Sequence, residues 1–370
     1  MKKLCFVTAA RSEYGLLKWI MKDVDASDAF DLQLIVTGAH LLHGQGHTID
    51  QIISDGFLIS DVVNTNLDDS SQESIAESMG KMAQAFSHSF AKLSPNYVIV
   101  LGDRYELLPI VNTAFIMRIP IIHISGGDVT EGALDDGIRN AITMLADYHF
   151  PGTEESANNI IRMKGSTKNV WSVGEPGLDS FNREKLNSRA ELATNLNLDP
   201  ARKWVLFTFH PETKQNTETN LDTVKICLSK LLSLDSIQIV ATYSNTDFGG
   251  KEINQLLEAA SQNHPEKLRV IPSLGIGRYL SFMKETSFLV GNSSSGIVEA
   301  PVLGIPVVNI GNRQKGRHLC SNIIQADLSE NSINNAIDSA SSTLKLPIDN
   351  YWGDGHTAEK ILEILRKELL

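Results

Sequence analysis

The 370-residue chain is longer than one hydrophobic core comfortably serves, so the sequence predicts two domains of about 150–200 residues with a cleft between them. A formal net charge of −11 argues against a surface that neutralises a nucleic-acid backbone, and no segment approaches the roughly 20 apolar residues that cross a bilayer. Cys5, Cys227 and Cys320 suit neither a disulfide framework nor a zinc site, which points to a reducing cytoplasm, and no metal or cofactor is expected.

Lys2 and Lys3 precede an apolar run as in a signal peptide, but Arg11 and Glu13 interrupt it, so the reading is a buried first strand. Short β-branched runs follow at Leu4–Thr8, Leu32–Thr37, Tyr97–Leu101 and Pro120–Ile124. Between them, Leu16, Leu17, Ile20, Met21 and Val24 share one helical face, as do Ile75, Met79, Met82, Phe86 and Leu93. A second series begins after Val170–Gly174, with strands at Trp204–Phe209, Ile237–Thr242, Leu268–Ile271, Phe288–Val290 and Pro306–Ile310. Polar Asn182–Asn197 reads as a surface helix with a loop. This alternation predicts an α/β protein of two Rossmann-like, doubly wound domains, 1–175 and 176–355, with 356–370 returning as a helix onto the first.

In such sheets ligands bind beyond the carboxyl ends of the strands, so those ends hold the candidate site. Arg11 follows the small-residue turn Thr8–Ala10 and offers a fork to phosphate; a capping loop with a solvated arginine is the alternative. Gly102-Asp103-Arg104 sets an acid beside a base, either a local ion pair or a proton-transfer group next to a phosphate ligand. His123 to Asp136 crowds Asp128, Glu131, Asp135 and Asp136 into one strand-to-helix connection, where an N-cap needs only one of the last pair. His210 ends a strand and is a candidate general acid or phosphate partner. Asn292-Ser293-Ser294 to Glu299 reads as a strand, a hydroxyl-rich turn and a helix start able to cradle a diphosphate, with Glu299 accepting ribose hydroxyls; helix-capping serines are the alternative. Asn309 to Arg317 then gathers Arg313, Lys315 and Arg317 in one turn.

As an ordered set these residues resemble the UDP-N-acetylglucosamine 2-epimerase family, specifically its hydrolysing branch. The resemblance runs nearly the whole chain: Arg11, Gly102-Asp103-Arg104, His123 to Asp136, His210-Pro211, Asn292-Ser293-Ser294 to Glu299, and Asn309 to Arg317. It implies a GT-B-like pair of domains facing across a cleft, a nucleotide-sugar substrate, and no nucleic-acid or membrane partner. For an enzyme of this size we expect a homo-oligomer, a dimer or tetramer. The non-hydrolysing branch carries a Gln-His pair where this chain reads Ala39-His40, which favours the hydrolysing branch and keeps His40 among the candidate ligand residues.

The implied reaction eliminates UDP across C1 and C2 to a 2-acetamidoglycal, then hydrates it with inverted C2, giving UDP and N-acetylmannosamine. By this resemblance Arg11, Arg104, Ser293, Ser294 and Arg313 hold the diphosphate, with Asn292 and Asn245 among the binding residues. His210 assists its departure, and Asp103 and Asp135 move protons. Glu299 holds the ribose, and Leu274, Tyr279 and Asn309 surround the uridine.

Two positions depart from the family pattern: Ser125 stands where a glutamate is usual, so Asp128 or Glu131 is expected to supply the acid, and Leu16 replaces a lysine. The first departure leaves open a UDP- or GDP-linked N,N′-diacetylbacillosamine donor. A glycosyltransferase of the same shape and a non-catalytic sugar-nucleotide sensor are the competing readings.

Overall fold

The protein is described by a computed structural model over residues 1–42, 48–65, 71–129, 134–212, 215–244 and 249–370. The chain divides into two compact units: Met1–Asp179 with Trp352–Leu370, and Ser180–Tyr351.

Unit 1 runs β1 (Lys2–Thr8), α1 (Arg11–Asp25), β2 (Phe30–Thr37), α2 (Ile49–Ser54), β3 (Asp61–Val63), α3 (Gln72–Leu93), β4 (Tyr97–Leu101), α4 (Leu107–Ile116), β5 (Ile121–Ile124), α5 (Leu134–Leu145), β6 (Tyr148–Phe150) and α6 (Glu154–Lys164). Its sheet is parallel in the order β3-β2-β1-β4-β5-β6. The order reverses between β1 and β4, which makes the ends of those two strands the expected ligand crevice. Alternation along β1 divides the core: Leu4 and Phe6 pack with Leu17, Ile20 and Val24 of α1, while Cys5 and Val7 pack with Met82 and Phe86 of α3 and Ile110 of α4.

Unit 2 runs α7 (Asp179–Arg183, starting at the junction), α8 (Arg189–Leu196), β7 (Lys203–Thr208), α9 (Thr217–Ser233), β8 (Ile237–Thr242), α10 (Gly250–Asn263), β9 (Leu268–Ile271), α11 (Gly275–Glu285), β10 (Phe288–Gly291), α12 (Ser294–Val298), β11 (Val307–Ile310), β12 (Ile323–Ala326) and α13 (Glu330–Ser342). The parallel order β12-β11-β10-β7-β8-β9 repeats the topology of unit 1, with its reversal between β7 and β10. Both units are therefore doubly wound, as the strand-helix alternation predicts. The C-terminal α14 (Thr357–Leu369) belongs to unit 1, where buried Asp179 accepts from the N–H groups of Thr357 at 2.8 Å and Ala358 at 2.7 Å. That carboxylate satisfies two of the helix's open donors and fixes its entry angle.

Three strands escape the sequence reading, namely β3, β6 and β12, which have three, three and four residues. Each lies at a sheet edge or is too short to carry an alternation pattern. The apolar stretch 170–174 forms only a bridge from Val170 to His149. Asn182–Asn197 resolves into α7 and α8. The second of these starts with a Ser188–Glu191 capping box and buries Leu192 and Leu196, so it is half core rather than surface.

Candidate active site

In unit 1 the site begins at the reversal point. Glu13, in the first turn of α1, turns its carboxylate back onto the N–H groups of Ala9 at 2.7 Å and Ala10 at 3.2 Å. Burial raises its pKa to about 8, against the pull of those N–H groups and of Arg104. Arg104 does not pair with Asp103, its neighbour in sequence. Its guanidinium grips buried Glu106 from Nη2 at 2.6 Å and Nε at 3.2 Å, and although burial opposes its charge, Glu106 and Glu13 raise its pKa. Arg104 keeps 37% of its side-chain surface, enough to meet a ligand. Arg11 is exposed at the first position of α1.

Asp103 pairs instead with Arg139 of α5, a residue the sequence reading missed. Arg139 is 4% exposed in its side chain, and one guanidinium serves three segments: Asp103 after β4, the Asp128 carbonyl after β5 at 2.8 Å, and Asp136 in its own helix at 3.4 Å. This fork fixes the Asp103 carboxylate at the carboxyl edge of the sheet, 30% exposed. Asp135 lies exposed in the first turn of α5. Since that helix starts at Leu134, neither Asp135 nor Asp136 is its N-cap.

Two unit 1 candidates have other work. Asp128, expected as the stand-in acid, accepts from Ser156 Oγ of α6 at 2.5 Å, which ties the β5 loop to the α6 N-terminus and engages one of its carboxylate oxygens. His40 is fully buried, with Nε2 against Thr8 Oγ1 at 2.9 Å and Nδ1 against Thr48 Oγ1 at 2.7 Å. Both nitrogens being engaged, it ties the end of β1 to the start of α2 instead of presenting a nitrogen to a ligand. Glu131 lies outside the described residues, as does Asn245.

Unit 2 is organised around Asn292. Gly291 passes so close to Thr208 that a Cβ would overlap its carbonyl, and its φ of +145° suits only glycine. Asn292, 1% exposed, then accepts from His210 N–H at 2.7 Å and donates to His210 O at 2.8 Å. Its own carbonyl accepts from Arg313 Nη1 at 3.2 Å and Gln314 Nε2 at 2.9 Å. Asn292, expected from sequence to be a ligand group, has its side-chain amide taken up by His210 and is instead the clamp that holds the His210 and Arg313 loops together. Glu212 reinforces it by accepting from Asn312 N–H at 2.6 Å. His210 is half-buried; burial, then Arg313, lowers its pKa to about 4, so its ring is neutral at pH 7.

Ser293 caps α12 and Ser294 is exposed at its first position. The helix spans only Ser294–Val298, too short for an appreciable macrodipole, so positive charge here comes from Arg313 and half-buried Arg317 rather than from the helix start. Tyr279 OH meets Ser295 Oγ at 2.5 Å. Glu299 follows α12 with its pKa raised to about 7 by burial, and its Oε2 is buried without a hydrogen-bond partner. A carboxylate so placed is suited to receive hydroxyl donors. Two expected uridine neighbours point elsewhere. Leu274 is 2% exposed in the core beside Trp204 and Phe282, its carbonyl taken by Arg278 Nε at 3.0 Å. Asn309 is 3% exposed and cross-links β11 to β12 through Gln325 at 2.7 Å.

The chain can be set beside known proteins. Over 369 residues the chain is 31% identical to UDP-N,N′-diacetylbacillosamine 2-epimerase (hydrolyzing) of Legionella pneumophila, covering 99% of this chain and 96% of that protein. It is 33% identical over 329 residues to GDP/UDP-N,N′-diacetylbacillosamine 2-epimerase (hydrolyzing) of Campylobacter jejuni, covering 89% and 85%. The crystal structure of UDP-GlcNAc 2-epimerase from Neisseria meningitidis bound to UDP-GlcNAc shares the two-domain α/β fold, with a TM-score of 0.81 at 18% identity, covering 99% of this chain and all of that one. The sequence profile described as UDP-N-acetylglucosamine 2-epimerase matches residues 22–366. Carrying that profile over nearly its whole length, the chain belongs to the UDP-N-acetylglucosamine 2-epimerase family of sugar-nucleotide enzymes.

Proposed function

We propose that this protein is a hydrolysing sugar-nucleotide 2-epimerase, releasing UDP and a free 2-acetamido sugar inverted at C2. The observation that carries the reading is the Asp103 carboxylate paired with buried Arg139 at the carboxyl edge of unit 1. The donor we favour is UDP-N,N′-diacetylbacillosamine, because relatives at 31% and 33% identity bear that name with the hydrolysing mode. UDP-N-acetylglucosamine is the second reading, favoured by the family profile itself.

In this reading unit 2 grips the UDP: Ser293, Ser294 and Arg313 meet the diphosphate, Glu299 the ribose, and Tyr279 lines the same loop. Arg11 and Arg104 are the cations of unit 1 that we assign to substrate binding. As the C1–oxygen bond to the diphosphate breaks, positive charge develops on the ring and acidifies the C2 hydrogen, so a carboxylate suffices as base. Asp103 takes that proton, the C2–H electron pair closes the C1=C2 bond, and UDP leaves. Neutral His210 gains a proton more readily once an anion offsets Arg313, and so assists the leaving diphosphate. Water then adds at C1 while Asp135, protonated from solvent, delivers a proton to the other face of C2, and Asp103 releases to solvent the proton it took.

A donor panel tests the proposal. The protein is incubated without acceptor with UDP-N,N′-diacetylbacillosamine, its GDP analogue and UDP-N-acetylglucosamine, and products are identified by proton NMR. Free 2-epimer with one equivalent of nucleoside diphosphate is expected, fastest from the first donor. A product still linked to UDP contradicts the hydrolysing mode, and intact donor throughout supports a transferase or a sensor instead.

A further inference from the structure

Ser125 immediately follows β5 with φ +56°, a left-handed conformation that a serine adopts only where its surroundings impose it. Its N–H donates to Phe150 O at 2.9 Å, and its hydroxyl donates to Glu175 Oε2 at 3.4 Å across fifty residues of sequence. Glu175 is seated there by design. Any Cβ at Gly152, just after β6, would overlap its carboxylate. Its N–H donates to Trp352 O at 2.7 Å, beside a crossing of Gly174 and Gly353 where a Cβ on either glycine would lie 3.1 or 2.9 Å from the other's Cα. This dyad shares an edge with Asp103, since Gly102 N–H donates to Ile124 O at 3.0 Å, immediately before Ser125.

A hydroxyl that donates to a carboxylate can accept a proton from water while passing its own along. Resting on the functional reading above, we propose that Ser125 accepts a proton from the water that hydrates the glycal, with Glu175 positioned behind it to take the serine proton. The water oxygen bonds to C1, its proton moves to Ser125 Oγ, and the serine proton moves to Glu175, leaving a neutral carboxyl. The C1=C2 electron pair takes up the proton that Asp135 delivers to C2. Ser125 ends the step unchanged, and Glu175 returns its proton to solvent.

The test is proton NMR of UDP, glycal and free sugar released by wild type, Ser125→Ala, Glu175→Gln and Glu175→Asp from the donor that wild type turns over fastest. Both neutral variants are expected to release UDP with accumulating 2-acetamidoglycal, the ratio of free sugar to UDP falling by at least about 100-fold. Glu175→Asp is expected to restore part of that ratio, which a packing defect would not allow. Free sugar and UDP in equal amounts from both neutral variants overturn the relay, whether or not their rates fall. Should Glu175→Gln fail to fold, Ser125→Ala carries the same readout. Wild type that releases neither UDP nor free sugar overturns the functional reading and the relay with it.

Discussion

Replacing Asp103 by asparagine keeps the shape of the side chain and removes one charge, and the structure assigns that change two effects of different size. Arg139 loses its ion pair but retains the Asp128 carbonyl at 2.8 Å and Asp136 at 3.4 Å. Asp103 is 30% exposed, so its pair is partly screened and falls below the 3–5 kcal/mol typical of breaking a fully buried one. Discounted for that exposure, the stability loss is about 1–2 kcal/mol. In a unit of about 200 residues this lowers the unfolding midpoint by about 2–8 °C. Loss of a proton-transfer group, by contrast, lowers turnover by about 10²–10⁴-fold. Asp103→Asn should therefore remain folded at 25 °C and bind UDP in calorimetry to within about 0.5 kcal/mol of wild type, as expected for an independent site. Its NMR-monitored release of free sugar should nearly cease. Turnover within about threefold of wild type, against that expected loss, would refute the assignment of Asp103 to the chemistry.

Arg313→Ala should weaken UDP binding by about 10–100-fold, the worth of one charge-assisted hydrogen bond, with a smaller effect on turnover at saturation; an unchanged dissociation constant in calorimetry would remove Arg313 from the diphosphate site. Stability should also peak near pH 6.5. Burial lowers His40 and His123 to about 4 and His149 to about 3, so their contribution, complete above pH 6.5, is lost as pH falls through those values. Burial raises Glu13 from 4.5 to about 8, so its contribution is complete below pH 4.5 and is lost as pH rises to 8. Between pH 6.5 and 8 those three histidines no longer titrate, and Glu13→Gln should reduce the fall of the unfolding midpoint there, leaving the part that Glu299, raised to about 7, contributes; a variant whose midpoint falls in parallel with wild type would contradict the account of Glu13.

The strand ends were legible because each follows an apolar, β-branched run: Tyr97–Leu101 announces Gly102-Asp103, and Phe288–Val290 announces Asn292. What a polar residue does at such an end was not legible, because it depends on which segment packs over it. Arg139 sits between Ile138 and Ile142 on the apolar side of α5, and a charged residue there is the one available hint that it is buried against partners. Asn292, Asn309 and His40 looked like ligand groups because they are polar at strand ends, yet their polar atoms bond to the protein itself. Leu274, expected beside the uridine, immediately precedes α11 and is buried in the core. Asp128 and Ser125 are three residues apart in one loop, but the first turns to α6 and the second to Glu175, a divergence set by the left-handed φ at Ser125 and Gly127.

The central claim, inversion at C2 with hydrolysis at C1, is tested most directly by running the reaction to completion in deuterium oxide and recording the proton NMR spectrum of the released sugar. The account predicts free sugar of inverted C2 configuration that carries deuterium at that carbon, in one-to-one amount with UDP. Free sugar that retains its original hydrogen and configuration at C2 would contradict it.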